Sequence, residues 1–251
     1  MQLHIAEDVR FKVTISATLL LQRIHSLIYS PRNNSIIYLP RNINNLKRMQ
    51  DLKATGNPNL AGPPQWVAAQ GMPGIHRFYD MLSQAEVTLS LEICNQVSCT
   101  VVPPECFHMT SLTALTISKC PIDSLQEEVA MMFCLTALEI SHCNLKRLPS
   151  MLSKCLNILS INLQGNELSS LPMRWAELTN MNSLSLAQNR FELVPACIQY
   201  FVSLSWFDMC DNLLASIPSW YRFWNFLVLF ALLFQIFTFL QVGHTAISRL
   251  P

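Results

Sequence analysis

The sequence predicts an α/β solenoid: short parallel strands stacked along a concave side, with short helices or irregular segments along the convex side. Three observations predict it. A rung residue recurs every 23 positions, at Cys120, Cys143, Asn166, Asn189 and Asn212. Around each rung lies the apolar frame L-x-x-L-x-L-x-x-(N/C)-x-L, starting at Leu112, Leu135, Ile158, Met181 and Leu204. After four of the five frames comes an apolar residue with proline, as Leu148-Pro149, Leu171-Pro172, Val194-Pro195 and Ile217-Pro218.

Each part of the frame has a physical reason. Side chains alternate across a strand, so the two apolar residues of each L-x-L point inward and the residues between them face outward. At the rung the chain turns away from the strand and must satisfy backbone groups of its neighbours. An amide donates and accepts there, and a thiol does so more weakly. Proline then fixes φ where the convex side begins and needs no amide partner. No repeat buries its own apolar edge, so the stack is the folding unit.

The frames LTALTISKCPI, LTALEISHCNL, ILSINLQGNEL, MNSLSLAQNRF and LSWFDMCDNLL resemble the leucine-rich repeat family. The following Leu-Pro resembles its cytoplasmic typical subtype, of which Ras-suppressor-like and Shoc-like proteins are members. That resemblance implies scaffold or adaptor work in signalling, without naming a partner.

Upstream, residues 31–64 read as one degenerate repeat. Leu39-Pro40, Ile43, Leu46, Met49, Leu52, Ala54 and Asn57 fit the pattern, and Pro63-Pro64 closes it after a one-residue insertion. Residues 65–88 read as a helical insertion, with Trp66, Ile75, Phe78 and Leu82 at helical spacing over 65–82 although Gly71 and Pro73 interrupt the first half. The stretch is similar to the capping segment that ends repeat blocks in many cytoplasmic members. The main block runs over 89–219, and Leu89, Leu91, Ile93 and Val102-Pro103 form a weak repeat leading into it. Residues 1–30 fit poorly. Their apolar run Val13–Leu21 follows Glu7 and Asp8 rather than a basic start, which argues against a secretory signal. They read as an N-terminal cap or a mis-assigned first exon. Without a signal the sequon Asn33-Asn34-Ser35 gains little meaning.

The C-terminal segment, 220–251, contains a charge-free run over residues 223–242, FWNFLVLFALLFQIFTFLQV, with Trp220, Tyr221 and Trp224 at one end. That length and those aromatics fit a helix crossing a bilayer. Continuing the repeat period instead places Leu227, Phe230, Leu232, Phe237 and Leu240 at core positions and Gln235 at a rung, as a sixth repeat. A gene-model artefact is the third reading. All three stay open.

Composition removes several function classes. The net charge of +1 and the lack of a Lys/Arg cluster give no reason to expect nucleic acid. The cysteine number, nine, is odd and lacks paired spacings beside the repeats, which favours reduced structural thiols in a cytoplasmic setting. Cys94, Cys99, Cys106 and His108 cluster in sequence, but their spacing is not that of a zinc site. No phosphate-binding glycine motif occurs, and no motif places a histidine beside a nucleophile, so neither an enzyme nor a cofactor is expected.

A surface remains. Outward positions of the good repeats form four columns: Ala114, Ala137, Ser160, Ser183 and Trp206; Thr116, Glu139, Asn162, Ser185 and Asp208; Ser118, Ser141, Gln164, Ala187 and Cys210; Lys119, His142, Gly165, Gln188 and Asp211. The expected binding positions are Trp206, Asp208 and Asp211, with Glu139, His142, Asn162, Gln164, Ser185 and Gln188 around them. Tryptophan is enriched among residues that dominate binding energy, and carboxylates favour a basic partner. The expectation is a non-enzymatic module that binds protein on its concave face, with membrane attachment through 223–242 under the anchor reading. The alternative is a recognition fragment of a larger signalling protein whose GTPase or kinase domain lies elsewhere.

Overall fold

The computed structural model describes residues 28–29, 38–39, 41–45, 51–52, 57 and 59–216. Most of the N-terminal segment with its sequon, and residues 217–251 with Ile217-Pro218 and the apolar run, lie outside the described residues, as do Leu46, Met49 and Ala54. Two compact units emerge, one from residues up to Val87 with Pro103–Cys106, the other from Thr88–Val102 and the residues from Phe107 on.

In the first unit, strands β1 (Ile28–Tyr29) and β2 (Asp51–Leu52) pair in parallel, with Ile28 opposite Asp51 and Tyr29 opposite Leu52. The 23-residue offset therefore reaches back into the segment that the sequence pattern leaves unassigned. A bridge between Tyr38 and Gly62 lengthens the offset by one residue, in keeping with the insertion before Pro63-Pro64. Leu39, Ile43 and Asn57 are buried.

The helical insertion differs from its expected form. Instead of one helix over 65–82 there are two, α1 (Gln65–Ala68) and α2 (Gly71–Thr88). Gly71 takes a φ of +68°, which ends the first helix and starts the second. Pro73 falls in the first turn of α2, where the missing N–H costs nothing. From there the helix runs on to Thr88, burying Met72, Ile75, Phe78, Tyr79, Leu82 and Ala85 on one stripe. The Tyr79 hydroxyl donates to the Leu39 carbonyl at 2.8 Å, and Asn44 donates to the Asp80 carboxylate at 2.6 Å. Trp66 is only half-buried, meeting Phe78 edge-on at 6.5 Å.

The second unit is built on a parallel sheet of six strands in sequence order: β3 (Ser90–Cys94), β4 (Ala114–Ser118), β5 (Ala137–Ser141), β6 (Ser160–Asn162), β7 (Ser183–Ser185) and β8 (Trp206–Asp208). Registers follow the sequence period, as Leu115 opposite Leu138, then Ile161, Leu184 and Phe207. Inward side chains from Leu91 and Ile93 through to Phe207 and Met209 are at most 2% exposed. Each such burial stabilises by about 1.5–3 kcal/mol relative to exposure. Leu89 is a correction to the weak first repeat. It is exposed at φ +57° rather than in the core, because β3 starts after it and its carbonyl accepts Thr113 N–H at 2.8 Å.

Opposite the sheet, four 3₁₀ turns cover Glu127–Met131, Ser150–Lys154, Met173–Glu177 and Ala196–Tyr200. Pro149, Pro172 and Pro195 each stand immediately before one. The turns send Val129, Leu152, Trp175 and Ile198 into the core. Fully buried Trp175 keeps its polar atom satisfied by donating Nε1–H to the Pro149 carbonyl of the preceding turn at 3.2 Å.

Candidate protein-binding face

The outward side of the six-stranded sheet is shaped by what happens just after each strand. Asn95, Lys119, His142, Gly165, Gln188 and Asp211 all adopt left-handed backbone, with φ between 51° and 72°. The last five each sit one residue before a rung, and the reversal swings the rung side chain back under the sheet. Only one of the six is glycine, and Asn95 and Asp211 tolerate the conformation through their short polar side chains, so Lys119, His142 and Gln188 carry the strain, about 1–2 kcal/mol each. Inter-repeat bonds hold them there: the Lys119, His142, Gly165 and Gln188 N–H groups donate to carbonyls of Ser141, Gln164, Ala187 and Cys210 at 2.8–3.1 Å.

The rungs divide by chemistry. Nδ2 of Asn166 donates to the carbonyls of Ile140 at 2.7 Å and Leu163 at 2.9 Å, while its Oδ1 accepts from Leu145 N–H at 3.1 Å. Asn189 and Asn212 repeat the pattern one and two rungs on, accepting from Leu168 and Phe191 at 3.0 Å. The thiols of Cys120 and Cys143 donate to Ser118 and Ser141 carbonyls at 3.3 Å, and Ile122 N–H, the counterpart of the Leu145 N–H that Asn166 receives, turns back on the Cys120 carbonyl at 2.8 Å. Two lesser ladders lie at the strand entrances and have no motif in the sequence reading. Asn157 and Asn180 donate to Phe133 and Leu156 carbonyls at 2.8 and 3.1 Å. Hydroxyls of Thr113, Thr136 and Ser205 donate to carbonyls one repeat back at 3.0–3.1 Å.

The four columns fall on one face as the alternation predicts. Trp206 is 51% exposed at its end, His142, Gln188 and Asp211 are exposed, and Glu139, Asn162, Gln164 and Asp208 are half-buried. Ser185, at 4% exposed, is buried, as are Ser141 and Ala187 of the third column. Ser185 stands in register between the longer side chains of Asn162 and Asp208, so its hydroxyl forms part of the floor rather than a contact point.

Several polar groups are fixed by their own strand. Glu139 accepts the Ser141 hydroxyl at 2.7 Å, Asn162 Oδ1 accepts Gln164 N–H at 3.1 Å, and Asp208 accepts Cys210 N–H at 3.0 Å. The His142 ring lies over Gly165, where a Cβ would come within 2.4 Å of Nδ1. Glycine is thus required there both by backbone and by the neighbouring imidazole. Partial burial first, then the carboxylates of Asp208 and Asp211, push the exposed Cys210 thiol up to about 11. It is a neutral donor at physiological pH and not a nucleophile.

The sequence reading overlooked Glu92. Strand β3 places it opposite Thr116, so the second column starts with a further exposed carboxylate. The signal was present in Leu91-Glu92-Ile93, but the repeat is offset by 24 rather than 23 residues. None of the nine cysteines is in a disulfide, and burial pushes Cys155 up to about 11 and Cys99 and Cys197 up to about 12. Among the described residues no group of three or more metal-ligating side chains gathers.

A rung amide, a left-handed turn, an inward apolar pair and a 3₁₀ return, stacked in parallel register, decide the architecture. The fold is a leucine-rich repeat solenoid. The chain superposes on a leucine-rich repeat protein of Leptospira interrogans with a TM-score of 0.53 at 22% identity, over 86% of this chain and 50% of that one. It therefore spans about half the length of that structure. Two plant receptors match more loosely, the first through its leucine-rich repeat ectodomain. The receptor kinase SOBIR1 ectodomain of Arabidopsis thaliana gives 0.44 at 22% identity, over 51% of this chain and 72% of that one. The peptide hormone receptor RGFR1, solved in complex with RGF2, gives 0.42 at 20% identity, over 72% of this chain and 24% of that one. No protein-family model matches the sequence, and no curated protein does either.

Proposed function

We propose that this chain is a non-enzymatic protein-interaction module, a scaffold or signalling adaptor that binds its partner on the concave face of the leucine-rich repeat sheet. The observation that carries this reading is the exposed Trp206 beside Asp208 and Asp211, on a face whose other columns are mostly small and polar. A large aromatic left half in water on a sheet gains most when a partner covers it, and adjacent carboxylates select a basic partner. Small residues over the remaining strands let that partner approach the sheet closely.

Nine cysteines without a disulfide support a cytoplasmic setting, where cysteines stay reduced. Among the described residues no helix is long and apolar enough to cross a membrane. Residues 223–242 lie outside them, and attachment to membrane through that run remains part of the proposal. The test is affinity capture with the whole chain as bait, followed by measurement of the captured partner against Trp206→Ala. Unchanged affinity, with weakening by substitutions on the 3₁₀ side instead, would move the binding face.

A further inference from the structure

We propose that the concave face takes an extended segment of its partner lying across the strands, with basic residues spaced to match three carboxylates in the second column. This rests on the concave-face reading and deepens it. Pairing registers run from Glu92 through Thr116 to Glu139, then through Asn162 and Ser185 to Asp208. Glu92 and Glu139 are thus two strand steps apart, and Glu139 and Asp208 are three. At about 4.8 Å per step the separations are about 10 and 14 Å. An extended chain advances about 3.3 Å per residue with alternate side chains on opposite faces. Cations two and then four residues apart therefore share the face toward the sheet at about 7 and 13 Å, and the long arginine side chain spans the remaining few ångströms to meet the three acids in turn.

Charge and shape favour this occupant. The outward positions carry Glu92, Glu139, Asp208 and Asp211 against Lys119, four acids to one base, for a local net of −3 on a chain whose total is +1. The acids line up across the strands, so a segment running along a single strand would meet no such row. Beside the row, the first column offers Ser90, Ala114, Ala137, Ser160 and Ser183, whose small side chains leave room for a backbone. That column ends at the half-exposed indole of Trp206, a face for a guanidinium to stack on. The carboxylates are already oriented: Glu92 accepts the Cys94 thiol at 3.1 Å, Glu139 the Ser141 hydroxyl at 2.7 Å, and Asp208 the Cys210 N–H at 3.0 Å. Little ordering is left to be done on binding.

The experiment uses the full chain and fluorescein-labelled octapeptides of alanine and arginine, read by anisotropy at low and moderate salt. One peptide carries arginines at the first, third and seventh positions, a second is its reverse, and a third has the three arginines adjacent. One of the two spaced peptides should bind at least about tenfold more tightly than the clustered isomer, because only it meets all three acids. Glu139→Gln, which retains an acceptor for Ser141, should remove most of that advantage, and Glu92→Gln should do the same. Equal binding of all three peptides, or an advantage that survives both substitutions, overturns the proposal. If the spaced peptides fail while a captured partner still loses affinity on Trp206→Ala, the crosswise segment is wrong and the concave-face reading stands. Loss of both results removes both.

Discussion

The side-chain oxygen of Asn166 accepts the backbone N–H of Leu145 at 3.1 Å, stitching its repeat to the one before. One rung earlier, at Cys143, the corresponding Ile122 N–H turns back on the Cys120 carbonyl at 2.8 Å instead. The stack therefore has one fully bonded half and one thiol-lined half. Cys143→Asn should restore the missing bond and stabilise the chain by about 1 kcal/mol, the usual net value of a buried hydrogen bond. In the other direction, Asn189→Leu should cost roughly 1–3 kcal/mol for each group left unmet, including Leu168 N–H and the Leu163 carbonyl. Urea midpoints measure both, and unchanged midpoints would contradict the ladder role.

The left-handed turns make a second, opposite pair of expectations. Lys119 holds φ +53° with a Cβ that disfavours it. Lys119→Gly should then be neutral to stabilising by up to about 1 kcal/mol, since relief of strain outweighs the gain in unfolded-state freedom. Gly165→Ala should destabilise, because it adds strain at φ +72° and drives a methyl into the His142 ring. Thermal unfolding separates the two signs.

What the sequence reveals and what it hides divide along physical lines. Rungs, inward pairs and proline turns were legible because each needs a particular side chain at a fixed place. The left-handed turns were not, because the backbone bonds that hold them also admit Lys119 and Gln188, which blurs the preference that Asn95, His142, Gly165 and Asp211 carry. The 23-residue pairing of Ile28 with Asp51 was missed since that repeat has no leucine at its frame positions, although Asn34 precedes Leu39-Pro40 by the same interval as Asn166 precedes Leu171-Pro172. Ser185 was placed on the correct face, but burial on a face depends on neighbours in adjacent strands, which periodicity does not report. Glu92 escaped for the related reason that one inserted residue shifts its column.

The buried thiols give the fold a pH dependence at the alkaline end. Burial raises Cys99 and Cys197 from about 9 to about 12, and Cys155 to about 11. The folded state then holds protons that the unfolded chain releases, so stability is complete below about pH 9 and falls as pH rises toward 12. Urea midpoints at neutral pH, pH 9 and above should show this decline. Thiol-modifying reagent at neutral pH should react slowly even with exposed Cys210, whose neighbours hold it protonated, and with the buried thiols only on unfolding.

Residues 223–242 make a separate test of attachment. Under the anchor reading the expressed chain should stay in the pellet on alkaline carbonate extraction, and a chain ending at Ser219 should be more soluble. Release into the supernatant, with lower solubility of the shortened chain, would support the sixth-repeat reading instead.

Binding energy should concentrate at the C-terminal corner of the face. Trp206 offers its half-exposed indole, while Ala114, Ala137, Ser160 and Ser183 in the same column offer little that could anchor a partner. Trp206→Ala should therefore cost at least about 2 kcal/mol of affinity for the captured partner, a hot-spot magnitude. Its effect should fall mainly on dissociation, since the indole acts after contact. Asp208→Asn with Asp211→Asn should instead slow association and flatten its salt dependence, because exposed charges steer encounter more than they hold the complex. The Asp208 substitution keeps an acceptor for Cys210 N–H, so the turn should survive it. Surface-immobilised partner and stopped-flow association at two salt concentrations read the two contributions separately. A double variant that associates at the parental rate with the parental salt slope would leave the carboxylates without a role in recognition.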